Sequence, residues 1–200
     1  VILIPTDDDV IMAPDASTVI RTAFENNPKA DIITFKAKNM DGGDFKATYR
    51  QVGFRHNALT IRSVSSIEIV AKVSALRRAG VTWDESFGLG GKYGGGLELV
   101  FLKDALDKGL SIHYEPNYIV SHPAESSGAV FDERKGYIRG AIACRMYGWK
   151  GLGLAIYTSF RHRHRIRKHT TLKRYAFSFI KGFVDFGRES FSGTSRKESV

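Results

Sequence analysis

Residues 1–10 read VILIPTDDDV, a short apolar stretch followed at once by three carboxylates. VILI has the composition of a short buried β-strand. Along an extended backbone, side chains at i and i+2 point the same way, so Asp7 and Asp9 share a face and Asp8 lies on the other. Ligands of open α/β sheets bind just beyond the carboxyl ends of strands. The pair therefore fits a hard divalent cation such as Mg²⁺, and the alternative is a solvated acidic turn that caps the following helix.

Outward from this stretch, the sequence alternates helices and strands. Pro14 and Asp15 open a helix with one apolar face, and later helices end at Gly80 and Gly109. This alternation favours an α/β layered domain with a mostly parallel or mixed sheet. The predicted strands after VILI are ADIITFKA (30–37), IEIVAKV (67–73), LSIHYEP (110–116) and YIVSHP (118–123).

The charge is divided unevenly along the 200 residues. Residues 1–133 carry 14 Lys and Arg against 18 Asp and Glu, a net charge of −4, whereas residues 134–200 carry 16 against 3, a net charge of +13. The two parts are therefore expected to do different jobs. We predict a catalytic part at 1–135, a basic helical tail at 136–190 and disorder at 191–200.

The cysteine content, the lack of long apolar runs and the first residues indicate which classes of protein the sequence does not resemble. A single cysteine, Cys144, excludes an internal disulfide and fits a reducing compartment. No apolar run approaches the length of a membrane span, and the start does not look like a signal peptide. The chain begins with Val1 in an apparent core strand, so we expect the back portion of a longer protein.

Residues 83–122 read WDESFGLGGKYGGGLELVFLKDALDKGLSIHYEPNYIVSH. Together with the acidic stretch, this segment resembles the family 2 glycosyltransferases of the GT-A fold, in particular bacterial members that build capsular or cell-surface polysaccharides. The resemblance covers roughly residues 1–125. It implies a partial GT-A (Rossmann-like) mixed sheet with flanking helices, to which the C-terminal part adds basic amphipathic helices. In the family, the strands that build the nucleotide-base pocket precede the Asp-x-Asp, so we expect them upstream of this chain.

The resemblance implies a metal-dependent, inverting transfer of a sugar from a nucleotide-diphosphate donor to a glycan or lipid-linked acceptor. Asp7 and Asp9 would hold Mn²⁺ or Mg²⁺, and His122 matches a position that sometimes completes the metal shell. Glu98 matches the general base, although Leu97 replaces the acidic residue that usually precedes it. The bland alternatives are a structural strand-end histidine for His122 and a solvated helix-start acid for Glu98.

Further substrate contacts are predicted around the glycine-rich loop FGLGGKYGGG, which could approach a substrate closely or close over it. For Trp83 the alternative is packing in the core, and for the loop the alternative is flexibility without a role in binding. The predicted substrate-binding residues are Asp8, Trp83, Asp84, Glu85, Gly90 and Lys92.

The tail combines the basic run FRHRHRIRKH (160–169) with an apolar stripe at helical period over 172–184. This combination favours peripheral contact with an anionic membrane through residues 160–186, at the cytoplasmic face of a bacterial cell membrane. The alternative is a helix docked on the protein with its basic rim solvated. No nucleic-acid motif accompanies the run, so we predict no nucleic-acid partner. The alternative function is a non-catalytic module that binds an anionic glycan or membrane surface.

Overall fold

The structure is a computed structural model that describes residues 2–3, 9–123 and 131–194. The chain forms two compact units. The first unit comprises Val1–Trp83 together with Leu97–Glu125, and the second comprises Asp84–Gly96 together with Ser126–Val200. The glycine-rich loop thus groups with the helical part of the chain, whereas the sequence prediction assigns it to the catalytic part.

The first unit is built on a mixed six-stranded sheet with the order β1-β5-β3-β6-β2, and β4 also pairs with β6. Only β3 and β6 run parallel among these pairs; the others are antiparallel. The strands are β1 (Ile2–Leu3), β2 (Ile11–Met12), β3 (Ile32–Lys38), β4 (Phe54–Arg55), β5 (Ile69–Lys72) and β6 (Ile112–Ser121).

Both faces of this sheet are covered. Ile32 belongs to a core cluster with Phe101 and Leu102 of a helix, whereas Ile33 belongs to a second cluster with Ile20 of another helix. Successive strand residues point to opposite faces, which explains why the neighbours Ile32 and Ile33 are both buried. The helices of this unit are α1 (Ala16–Asn26), α2 (Val73–Ala79) and α3 (Leu97–Asp107).

The second unit is helical, and its helix pair α4 and α7 packs through glycine. A Cβ added at Gly140 would lie 1.9 Å from the carbonyl oxygen of Phe179, and one at Gly182 would lie 2.0 Å from that of Tyr137. The two backbones can approach this closely only because these residues have no side chain. The helices are α4 (Glu133–Tyr147), α5 (Gly153–Arg161), α6 (Arg163–Ile166) and α7 (Leu172–Thr194).

The predicted layered α/β fold and its helices are confirmed, with one correction in the sheet. We predicted two strands over 110–123, and the structure forms the single strand β6. Thr34 of β3 pairs with Tyr114 and Lys36 pairs with Tyr118, so the register shifts around Pro116. Because this irregularity leaves room for a residue without an N–H group, the strand continues through the proline.

The predicted disorder of residues 191–200 can be compared with the structure only as far as Thr194. Helix α7 continues to Thr194, four residues into the segment for which the sequence predicts disorder, and residues 195–200 lie outside the described part. Over the residues that the structure describes, no helix is long and apolar enough to cross a membrane.

Candidate active site

Asp9 and His122 meet at the carboxyl end of β6. Antiparallel pairing of Ile11 with Ser121 brings the turn before β2 against the residue that follows β6. An Asp9 carboxylate oxygen lies 3.1 Å from the His122 Nε2 atom. The Asp9 side chain is half exposed and the His122 side chain is mostly buried. Two of the three predicted metal ligands, Asp9 and His122, thus lie beside each other, and their role toward a metal stays a prediction. Asp7 and Asp8 lie outside the described residues.

The geometry of this pair is compatible with a divalent cation. The His122 Nδ1 atom lies 2.7 Å from the Pro123 carbonyl oxygen, and a hydrogen bond there puts the proton of a neutral ring on Nδ1. With the proton on Nδ1, Nε2 has a lone pair for a cation shared with Asp9, whereas a ring protonated on both nitrogens forms an ion pair with Asp9. Two ligands at right angles around Mg²⁺ stand about 3 Å apart. The pair alone does not make a metal centre, because the described residues contain no group of three or more His, Cys, Asp or Glu side chains that could hold a metal ion.

A second polar cluster lies in the same unit, around Lys46, Tyr49 and Glu68. Lys46 Nζ lies 2.7 Å from a Glu68 carboxylate oxygen, and the Tyr49 hydroxyl donates a short hydrogen bond to the same carboxylate. The other Glu68 oxygen accepts the Ser65 backbone N–H at 2.9 Å. Glu68 is buried, so these partners replace the water that its charge would otherwise need.

Burial shifts the titration of this cluster. It lowers the pKa of Lys46, and the charges of Glu68 and Glu98 partly oppose that shift. Burial beside the Glu68 carboxylate raises the pKa of Tyr49 well above its ordinary value. Tyr49 is therefore a hydrogen-bond donor at any physiological pH.

The cluster borders a cavity of about 280 Å³. His56 lines it, and the two His56 ring nitrogens lie 2.8 Å from the Thr34 hydroxyl and 3.0 Å from the Thr60 hydroxyl. Burial, together with the neighbouring His113 and Arg50, lowers the pKa of His56 to about 4. The ring is neutral at pH 7. The remaining lining mixes aromatic and polar side chains, among them Phe54, Tyr114, Arg50 and Thr48.

Glu98 lies in the first turn of α3, where a carboxylate is stabilised by the helix dipole. It is close enough to Lys46 for its charge to act on the pKa of that lysine. The neighbouring Phe45 ring packs edge-on against His122, with centroids 5.3 Å apart. Phe45 therefore contacts His122, and its neighbour Lys46 lies within the electrostatic reach of Glu98.

The remaining predicted substrate residues have structural partners. Trp83 stacks on Phe101 at 3.9 Å, which is the core-packing alternative. Asp84 accepts hydrogen bonds from the Ser86 hydroxyl and from Arg145. Lys92 forms an ion pair with Glu189. Their roles toward a substrate stay predictions.

Two further predicted substrate residues, Gly90 and Glu85, are exposed. Gly90 has φ +80°, a conformation that favours glycine, and Glu85 lies in a short 3-10 turn over Glu85–Phe87. Neither makes a contact that assigns it a ligand, so their predicted roles also stay predictions.

Sequence reasoning missed Lys46, Tyr49, His56 and Glu68. These residues come from turns and 3-10 segments between β3 and β5, which show no periodic pattern. One signal was available: Ser65 and Glu68 form a capping box around a short 3-10 helix. That signal locates a turn and does not indicate that the glutamate is buried beside a lysine.

The fold can be compared with known proteins. No protein-family model matches the sequence, and no curated protein matches it. A crystal structure of S. aureus TarS, a GT-A glycosyltransferase, is similar with a TM-score of 0.53 and 13% identity, over 80% of this chain and 28% of that one. A structure of S. aureus TarS 1–349 is similar with a TM-score of 0.50 and 13% identity, over 84% of this chain and 48% of that one. This chain therefore spans less than half of either TarS chain, and the likeness shows a shared mixed α/β fold with a curled mixed sheet and flanking helices.

Proposed function

We propose that this chain is part of a metal-dependent, inverting glycosyltransferase that moves a sugar from a nucleotide-diphosphate donor to a glycan or lipid-linked acceptor of a cell surface. The fold likeness to TarS supports the class of enzyme. The observation that carries the proposal is the Phe45–Lys46 segment, which contacts His122 and lies within the electrostatic reach of Glu98. The Asp9–His122 pair, as candidate metal ligands, and the Glu98 carboxylate, as candidate base, belong to one compact unit. Sugar transfer needs groups of both kinds.

In this proposal Asp9 and His122, together with Asp7, hold Mn²⁺ or Mg²⁺. When bound, the cation supplies electrostatic stabilisation of the departing diphosphate. Asp8 contacts the donor. His122 is oriented for this role by Pro123 and by the Phe45 ring.

Glu98 acts in the proposal as the general base. Its carboxylate accepts the proton of the acceptor hydroxyl as that oxygen attacks the sugar from the side opposite the leaving group, and this direction of attack inverts the anomeric centre. The helix N-terminus and Lys46 both place positive potential near the Glu98 carboxylate.

The proposal is tested in the full-length gene product with a panel of nucleotide-sugars and Mn²⁺. We expect Asp9→Asn and Glu98→Gln each to lower turnover about 100-fold or more. Glu25→Gln, at an exposed acid of α1, is the matched control and should leave turnover unchanged. Titration with Mn²⁺ adds a second readout: Asp9→Asn should weaken metal binding and Glu98→Gln should not. Full turnover in both site variants would refute the proposal.

A second candidate is a non-catalytic module that binds an anionic glycan or membrane surface. Leu97, which replaces one acidic residue of the family's pair, favours it. Donor turnover separates the two candidates. An enzyme releases nucleotide diphosphate from some donor in the panel, whereas a binding module leaves every donor intact.

A further inference from the structure

Segment 149–160 of the second unit presents an unusual number of large apolar side chains to solvent. Trp149 is 78% exposed, Ile156 is 78% exposed and Phe160 is 71% exposed. Leu152 and Tyr157 are also about half exposed. Trp149 and Leu152 lie in a short 3-10 turn, Gly148–Leu152. This turn continues directly into α5, which carries Ile156, Tyr157 and Phe160. An exposed set of this size in one segment indicates a contact surface.

The exposed residues share one side of the segment. Trp149, Leu152, Ile156 and Phe160 follow one another at intervals of three or four residues, which places them on one helical face. The opposite face is packed: Ala155 belongs to a core cluster with Ala143, Phe179 and Phe183. The orientation of the segment is therefore fixed by its own unit, and the apolar face points outward as a consequence.

The sequence on both sides of this face carries charge of a single sign. Between residues 134 and 184 the sequence contains 13 Lys and Arg and no Asp or Glu. Directly after the apolar face come Arg161, Arg165, Arg167 and Lys168, all exposed. An apolar face with Trp and Tyr beside a one-signed basic segment matches the interface of an anionic lipid bilayer in both polarity and charge.

Helix α7 is less suited to this role than its sequence suggests. The sequence predicts membrane contact through 160–186, largely because of the apolar stripe of this helix. Tyr175, Phe179 and Phe183 of that stripe are buried within the second unit. Phe177 and Ile180 remain exposed on α7.

We propose that the second unit docks on an anionic membrane surface through Trp149, Leu152, Ile156, Tyr157 and Phe160, with Arg161, Arg167 and Lys168 contacting lipid headgroups. We call this set the α5 face. The surface overlaps the predicted 160–186 segment only at its basic end. Docking here needs neither the metal pair nor Glu98, so this inference stands or falls independently of sugar transfer.

Vesicle co-sedimentation tests the proposal with the full chain. We expect pelleting with vesicles of phosphatidylcholine containing 40% phosphatidylglycerol and little pelleting with phosphatidylcholine alone. Ile156→Glu combined with Phe160→Glu should weaken binding at least 10-fold. Val52→Glu, at a similarly exposed apolar residue of the first unit, should not weaken it. Arg167→Gln with Lys168→Gln should weaken binding about fivefold per charge and reduce its salt dependence.

Tryptophan fluorescence provides a readout that a loss of folding does not imitate. The protein contains two tryptophans, and Trp83 is stacked in the first unit. Anionic vesicles should shift the emission to shorter wavelength and protect it from acrylamide, and Trp149→Phe should abolish both effects while the circular dichroism stays unchanged. The shift should be absent with neutral vesicles.

Four results would overturn the proposal. The first is equal vesicle binding by the Ile156→Glu/Phe160→Glu variant. The second is loss of binding only when Phe177→Glu and Ile180→Glu are introduced, which would place the contact on α7. The third is a doubled mass by light scattering that the α5-face variant abolishes, without vesicle binding, which would identify a second copy as the occupant. The fourth is binding of a short RNA that the same variant abolishes, again without vesicle binding.

Discussion

The two units use opposite means to pack their interiors. The first unit buries charge: Glu68 lies beneath a sheet face with Lys46 and Tyr49 as its partners, and Lys36 of β3 is almost fully buried beside Asp44. The second unit removes side chains instead, and its two main helices approach through Gly136, Gly140 and Gly182. Buried charge is costly and needs partners, whereas helix glycine is costly only in backbone entropy.

This difference indicates where each kind of function can lie. A buried polar cluster beside a cavity can orient a substrate, so the first unit is where we place the proposed chemistry. In the second unit α4 and α7 pack closely through their backbones, and the large apolar side chains of segment 149–160 are not covered by this packing. The second unit accordingly exposes the α5 face, which makes it the place for contact with a surface.

The largest effect is expected from breaking the buried charge pair of the first unit. Glu68→Ala removes the acceptor of the Tyr49 hydroxyl and the carboxylate beside Lys46, which keeps only the Ser63 carbonyl oxygen as an acceptor. We therefore expect the free energy of unfolding to fall by about 4 kcal/mol. Urea denaturation measures the change, and hydrogen exchange should show the loss of protection in the first unit. Glu115→Ala, at a partly exposed acid of β6, is the control and should cost far less.

In the second unit the corresponding change adds a methyl group between the helices. Gly140→Ala would place Cβ 1.9 Å from the Phe179 carbonyl oxygen and force α4 and α7 apart. We expect a loss of about 3 kcal/mol, with faster hydrogen exchange in both helices.

Gly153→Ala is the matched control for this substitution. Gly153 has a helical φ of −61°, and an added Cβ meets no atom within 4 Å. We expect a change between zero and a gain of about 0.5 kcal/mol. Equal losses from both glycine substitutions would contradict close packing as the reason for Gly140.

A pH titration sharpens the contrast for the first unit. The pKa of His56 is lowered to about 4 in the folded protein, against about 6.5 in an unfolded chain. The unfolded state therefore binds the proton first as pH falls, and stability should drop by about 1.5 kcal/mol between pH 6.5 and pH 5.

Comparison with His56→Gln isolates this contribution, because the acidic groups of the two proteins titrate alike. The variant should be less stable at pH 7 and should lose less stability on acidification. If the stability of both proteins depended on pH in the same way, folding would not lower the pKa of His56.

The smallest effect is expected at the exposed pair Lys92–Glu189 of the second unit. Lys92→Met should change the free energy of unfolding by less than about 1 kcal/mol, because exposed ion pairs contribute little. Thermal denaturation at low and high salt provides the measurement. The expectation would be wrong if Lys92→Met lowered stability strongly and high salt lowered the stability of the parent protein by a similar amount. That result would show that the Lys92–Glu189 pair holds the loop against α7.

Local patterns predicted much of the fold because they report local conformation. Gly80 and Gly109 were predicted to end helices, and both adopt the positive φ that follows a helix, +62° and +79°. The apolar stripe of α7 was also correct. Its partner was not readable, since Gly136 and Gly140 indicate a close approach only once the opposing helix is known.

The candidate site was predictable only in part for the same reason. Asp9 and His122 follow strands, and strand ends can be read from the sequence. Lys46, Tyr49 and Glu68 converge through turns whose positions depend on contacts far along the chain. A sequence pattern does not encode such contacts directly.

Strand β6 pairs with β3 along one edge and with β4 and then β2 along the other. His113 and Tyr114 face β4 near its start, and Ser121 faces β2 at its end. Deleting Asn117 would shorten the distance between these two contacts by one residue and turn every later side chain to the opposite face. His122 would then leave Asp9 while the cavity beside Tyr114 stayed in place. A length change within this strand should thus remove the proposed metal site at one end of β6 and spare the cavity at the other.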